Sequence, residues 1–307
     1  MYYPYLRSKQ NEMLALREIS QSTIEHSVVY SHITPIIEPI RDLPTLDKTI
    51  DEMEKAHIPY AVILNAGDNK VAEVYQWLSK EGRQYYAPAF LCDDSIPSIQ
   101  DLDTMPPNIM LVFKNHIDSD NEKLLPLFAN QSVKTIVGSM SRSLKRKLLQ
   151  EQKQLVTFSP DAFHPQNTNA LYGNTPDELY TEEHTFYKEE QFAGFSDFCV
   201  LPKDLQDKGM MPTTLAIHLT YKKNDDEIWV RHFLSDTQLG RENIQRKFQE
   251  AAIHVRNFYA TNPTTVAVKT LLKCLEDGHY PGLGKLKEFS VWNHLELVNR
   301  LLLEDNK

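Results

Sequence analysis

Apolar runs of strand length recur along the first half of the chain, at residues 34–40, 60–65, 86–93, 109–114, 135–139 and 155–159. Each ends in polar residues, and most are followed by a stretch with helical spacing. Runs that are apolar throughout are what a parallel strand buried on both faces requires, and a repeat of about 20 to 30 residues fits one βα unit each. The first run is the most constrained. It carries Glu38 between Pro35 and Pro39, a carboxylate ill placed for solvation and in want of a positive partner.

The intervening stretches predict helices whose apolar faces are Met13, Leu14, Leu16 and Ile19, then Leu46, Ile50 and Met53, then Val71, Val74, Tyr75 and Leu78. Leu124, Leu125 and Leu127, and then Leu144, Leu148 and Leu149, continue the series. Residues 2–6 read as a first strand, and Gly67, Asp68 and Asn69 as a turn that caps the helix after it. After residue 159 the pattern breaks. Residues 160–192 lack a clear period and read as an irregular excursion whose aromatics, Tyr172, Tyr180, Phe186 and Tyr187, are of the kind that suits interfaces. Order returns with a strand near 194–198, an antiparallel hairpin from 214–221 and 228–233, and helices at 241–260, 263–276 and 285–304.

Counting a final strand within residues 195–220 as the eighth predicts an α/β fold, a TIM-like (β/α)8 barrel with an antiparallel hairpin and a C-terminal helical layer. An open doubly wound sheet is the competing architecture, but the glycine-rich phosphate turn that usually opens one is missing. No Pro, Gly or Ser-rich linker interrupts the chain. The expectation is one domain over 1–307, with the barrel and its 160–192 excursion in 1–240 and packed helices in 241–307.

Charge narrows the function classes. A net charge of −9 disfavours tight nonspecific binding to polyphosphates. The one basic cluster, Arg142, Lys145, Arg146 and Lys147, interleaves with leucines at helical spacing and reads as a solvated helix face. There is no apolar run near the roughly 18 residues of a membrane span, and the first residues lack a signal-type apolar core. Cys92, Cys199 and Cys274 follow no metal or disulfide spacing, so reduced thiols and a cytoplasmic location are expected.

Residues just past the strand ends converge on one mouth of a parallel barrel, where active sites are built. The candidate catalytic residues are Lys9, Glu38, Asp161, Asp197 and His218, with Lys9 the expected ion-pair partner of Glu38. Asn65, Lys114, Ser139 and Ser159 belong to the same rim. Asp93, Asp94 and His116, joined by Glu38 and His164, are the donor types a divalent cation takes, yet they lack HxH or HExxH spacing. No other cofactor is expected. Gly138-Ser139-Met140-Ser141 sits at a strand-to-helix junction and reads as a helix cap, and alternation puts His218 and Thr220 on the polar face of the hairpin.

Several stretches are jointly similar to a known family. Residues 3–16 (YPYLRSKQNEMLAL) followed by 34–38 (TPIIE) resemble the opening of the beta protein family of phages and bacteria. Residues 194–198 (GFSDF), 216–221 (AIHLTY), 232–236 (HFLSD) and 280–284 (YPGLG) through 294–297 (HLEL) resemble a bacterial branch of it. One departure is Asn169-Ala170-Leu171-Tyr172, where the branch has an acid at the third position. Members are often encoded beside a nuclease-like protein in mobile or defence-associated neighbourhoods. The resemblance therefore implies a partner protein in a two-protein, anti-phage system more than it implies a reaction. The competing expectation is a barrel hydrolase acting on a phosphodiester or glycosidic bond through an acidic, metal-assisted mouth.

Overall fold

In the computed structural model the apolar runs pair side by side in sequence order. The strands are β1 (Tyr5–Arg7), β2 (Ile36–Glu38), β3 (Tyr60–Ile63), β4 (Tyr86–Leu91), β5 (Ile109–Val112), β6 (Val133–Val137) and β7 (Gln154–Ser159). A further strand, β8 (Asp177–Thr181), lies elsewhere, and β9 (Gly194–Asp197) completes an eight-stranded parallel sheet in the order β1-β2-β3-β4-β5-β6-β7-β9. Backbone bonds from Tyr3 N–H to the Phe195 carbonyl (2.8 Å) and from Phe195 N–H to the Met1 carbonyl (3.1 Å) bring the last strand against the first. The result is a nearly closed TIM-like barrel, as the strand count predicts. The structure describes residues 1–305 except 27, 41–42, 68–69, 81, 94–95, 119–120, 205–211, 238–239 and 241.

The chain divides into two compact units. The first is Met1–Pro160 with Glu183–Asp197 and contains the barrel. Its helices are α1 (Gln10–His26), α2 (Leu43–Lys55), α3 (Val71–Leu78), α4 (Ile99–Asp103), α5 (Leu125–Ala129), α6 (Arg142–Gln150) and α7 (Glu183–Phe186). Aliphatic and methionine positions that predict these helices lie on their buried faces: Met13, Leu16, Ile50, Met53, Val74, Leu78, Leu144 and Leu148. The expected cap at 67–69 differs. Asp68 and Asn69 lie outside the described residues, and Lys70 holds the N-cap of α3 without a side-chain bond.

Register decides what points into the barrel. Tyr5 pairs with Ile36 and Arg7 with Glu38, while Tyr5 stacks on Phe158 across the sheet at 5.9 Å. Side chains alternate along a strand, so Tyr5, Arg7, Glu38 and Phe158 share one face, and Leu6 and Ile37 take the other.

Gly194 stands where the barrel closes. A Cβ there would meet the Met1 carbonyl oxygen at 2.4 Å and the Tyr3 ring at 2.6 Å. Backbone on one side leaves nothing to yield. Gly194→Ala is expected to cost about 3 kcal/mol, the upper end of overpacking penalties, measured as a shifted urea midpoint at unchanged slope.

The second unit is Asp161–Glu182 with Phe198–Lys307. Here β10 (Ala216–Lys222) and β11 (Ile228–Leu234) form the predicted antiparallel hairpin, and β8 adds to its outer edge in the order β10-β11-β8. Neither β8 nor the 3-10 turn at Asn169–Asn174 shows in the sequence pattern. β8 is a short edge strand, DELYT, buried only at its last two residues, so it has no alternation to display. Helices α8 (Ile244–Tyr259), α9 (Val266–Glu276) and α10 (Leu283–Glu304) follow. α10 is buried nearly all round, and its Asn293 is held at both ends of the amide: Nδ2 donates to the Thr220 carbonyl (2.9 Å), and Thr265 Oγ1 donates to Asn293 Oδ1 (2.8 Å). Among the described residues no helix is long and apolar enough to cross a membrane.

Candidate functional site

At the C-terminal end of β2, Glu38 is buried and clamped. Lys114, two residues past β5, places Nζ 3.1 Å from Oε1 and 3.3 Å from Oε2, and Arg7 Nε lies 3.9 Å from Oε2. Lys114 is brought across the mouth because Val112 and Lys114 share a face of β5 and its extension. Lys9 immediately precedes α1, its carbonyl accepting from Met13 N–H at 3.0 Å. Below the pair is Tyr5, whose ring lies 5.2 Å from the Lys114 ammonium. Burial first, and the facing Glu38 carboxylate second, push the Tyr5 phenol well above its ordinary range, so it stays protonated.

Asp93 is the next member of the rim. Its Oδ2 accepts Lys114 N–H at 2.6 Å and its Oδ1 accepts Asn115 N–H at 2.9 Å. Asn65 does similar work one strand earlier, exchanging two 2.8 Å bonds with the backbone of Leu91. Both side chains stitch neighbouring strand ends together. Buried Cys92 beside them has its thiol pushed up to about 12 by burial, so it is a packing residue and not a nucleophile at neutral pH.

Asp197 departs from the expected arrangement. Phe158 pairs with Ser196, so Ser196 shares the face of Tyr5 and Glu38, while Asp197 falls on the opposite face with Phe195. There Tyr2 donates its hydroxyl to Asp197 Oδ1 at 2.7 Å, with the Tyr2 ring stacked on Phe195. A one-residue offset along β9 decides this: a strand-end position fixes height along the barrel, and the pleat fixes the face.

His116 and Ser139 do meet at the rim. His116 Nδ1 is hydrogen-bonded to Ser139 Oγ at 2.9 Å, and His116 Nε2 lies 3.8 Å from Asp118 Oδ1. All three are exposed. Ser141, not Ser139, caps α6. As for a divalent cation, Asp94 lies outside the described residues, Asp93 is committed to backbone N–H groups, and no group of three or more donor side chains converges among the described residues.

Asp161 and His218 belong to the second unit. Asp161 is exposed just past β7. His218 faces His232 directly across the hairpin, Nδ1 to Nδ1, at 2.6 Å. The row continues: His232 Nε2 lies 3.2 Å from Glu178 Oε1, and His164 Nδ1 lies 3.4 Å from Glu178 Oε2. Tyr172 covers both imidazoles, 4.7 Å from His218 and 4.3 Å from His232. Burial holds His232 down to about 4 and His218 well below the ordinary range, the latter helped by His232 and Lys287. Both rings are therefore neutral at physiological pH, one Nδ1 donating and the other accepting.

The excursion's aromatics are mostly internal. Tyr172, Tyr180 and Tyr187 are each 4% exposed, and only Phe186, at 37%, faces solvent. Tyr180 packs on His294 and accepts Val200 N–H at 2.9 Å, and Tyr187 packs on Phe195. They are held by their own units because each found a ring or backbone partner that no local sequence pattern announces.

Arg7, Lys114 as the clamp, and the His232–Glu178 continuation are the functional-looking contacts that sequence reasoning missed. The histidine pair had a usable signal: positions 218 and 232 are equidistant from Asp225 in the hairpin turn, which fixes them as cross-strand partners. No protein-family profile, curated protein or solved structure matches the chain.

Proposed function

We propose that the chain is the binding component of a prokaryotic two-protein system of the anti-phage kind, with a nuclease-like protein as its partner. The observation that carries this reading is the commitment of the mouth carboxylates. Both oxygens of Glu38 are held by Lys114 and both oxygens of Asp93 by backbone N–H groups. Carboxylates so occupied hold strand ends in place, and a rigid mouth with fixed donors suits recognition. The similarity of residues 194–198, 216–221 and 280–284 to the bacterial branch of the beta protein family supplies the partner.

A second reading, hydrolysis of a phosphodiester or glycosidic bond with or without a divalent cation, is favoured by the exposed His116–Ser139 contact. An imidazole within bonding distance of a hydroxyl is the start of a proton-transfer pair.

Co-expression with the neighbouring gene product separates them. A stable complex on gel filtration, retaining its biological activity with His116→Ala and Ser139→Ala, is the expected result. Both residues are exposed, so neither substitution disturbs the fold. Turnover by the isolated chain, with or without added magnesium or manganese and abolished by either substitution, overturns the binding reading.

A further inference from the structure

The basic cluster of α6 does not stand alone on a solvated face. Arg142, Lys145, Arg146 and Leu149 follow helical spacing on one side of α6, and Gln191 and Phe192 of the segment after α7 stand opposite. Between them is an open groove of about 830 Å³ within the barrel unit. The Lys145 ammonium donates to the Glu190 carbonyl and sits 3.8 Å from the centre of the Phe192 ring. Its location is thereby fixed. Burial lowers its affinity for a proton, the mark of an ammonium partly stripped of water. Arg142 and Arg146 are exposed, and among the described residues neither has a carboxylate partner. Three cations thus line a groove with one carboxylate, Glu190, on a chain whose net charge is −9.

We propose that this groove binds a short stretch of single-stranded nucleic acid, its phosphates on Arg142, Lys145 and Arg146 and a base against Phe192. A phosphate matches the planar donor fork of an unpaired arginine, and an aromatic ring beside a basic track is how unpaired bases are held. Duplex bases are stacked on each other and cannot reach the ring. An acidic peptide would satisfy the arginines but leave the phenyl ring unused. The sequence hides this site because Phe192 is more than forty residues from the cluster, and the pairing of β9 with β7 brings them together. The inference stands apart from the partner reading and survives its failure.

The test is fluorescence anisotropy with a labelled oligothymidylate of about 20 nucleotides, longer than the roughly 4 to 16 that one binding module covers. Saturable binding is expected at low salt, with log K falling against log salt at a slope of about −2, the value for three phosphate contacts on a single strand. Phe192→Leu is expected to weaken binding about tenfold, the loss of one stacked base. The double substitution Arg142→Gln with Arg146→Gln is expected to flatten the slope to about −0.7, and Lys123→Gln, on another exposed surface, to change nothing. Should Phe192→Leu fail to fold, the surface arginine pair carries the test. Competition by free thymidine monophosphate, lost in the same variants, supports the site with a free nucleotide as its source. Absence of saturable binding by either probe overturns the proposal. So does an equal loss with Lys123→Gln, or displacement of the oligonucleotide by polyglutamate as effectively as by unlabelled oligothymidylate.

Discussion

Glu38→Gln is expected to destabilise the barrel by about 3 to 4 kcal/mol, because it removes the one carboxylate that the clamp surrounds. The substitution keeps shape and volume, so cavity formation contributes nothing. What is lost is the attraction of the carboxylate to two cations in a poorly hydrated place: the Arg7 side chain is 5% exposed and lies 3.9 Å from it, while Lys114 is 21% exposed. Lys114→Gln should cost less, about 1 to 2 kcal/mol, since Arg7 still faces Glu38 and the lysine position has some access to water. The double substitution should cost less than the sum of the two, because the second change removes a charge that the first leaves stranded. Urea unfolding of the four proteins measures the cycle. A cost for Glu38→Gln below about 1 kcal/mol would show a solvated surface pair, which contributes that little, and would remove Glu38 from the centre of the mouth.

How much of this was legible in the sequence depends on what kind of information each feature needs. The barrel is written in the apolar runs, because strands buried on both faces have no other composition open to them, and the hairpin is written in the turn at residues 223–227 between two alternating segments. Facing is a finer property. Glu38 and Asp197 both stand at strand ends, and one residue of pleat sends them to opposite faces. Partner choice is finer still: Lys114, 76 residues away, reaches Glu38. Parallel pairing β1-β2-β3-β4-β5 sets that meeting, and it cannot be read before the sheet order and register are known. β8 and the residues of the excursion carry the same lesson. A strand of five residues with two buried positions takes its identity from β11, to which it pairs, and not from its own pattern.

The second unit is expected to lose stability as pH falls from about 6.5 to 4, through the histidine pair. His232 is held down to about 4 in the folded chain against an ordinary value of 6.5, so between those values the unfolded state binds the proton that the folded state refuses. Stability from this group is fully present above about 6.5 and shrinks by about 1.4 kcal/mol for each pH unit below it, reaching about 2.5 kcal/mol at pH 4.5. His218, held well below its ordinary range, acts in the same direction. The two cannot both be charged, since their Nδ1 atoms are 2.6 Å apart and only one hydrogen fits between them. Glu178 opposes the trend. Burial raises its carboxyl, with His164 pulling the other way, so it takes up a proton earlier in the folded state and returns part of the loss. Lys287 adds to the repulsion that any charged His218 would meet. Chemical denaturation of the full chain between pH 7.5 and 4.5 should therefore show a falling midpoint, and His232→Gln should flatten that fall by about 2 kcal/mol while lowering stability at pH 7.5 through the lost 3.2 Å contact to Glu178. An unchanged pH slope in His232→Gln would mean that the imidazole is solvated in the folded chain, and that the row from His218 to His164 is a surface feature instead of a buried one.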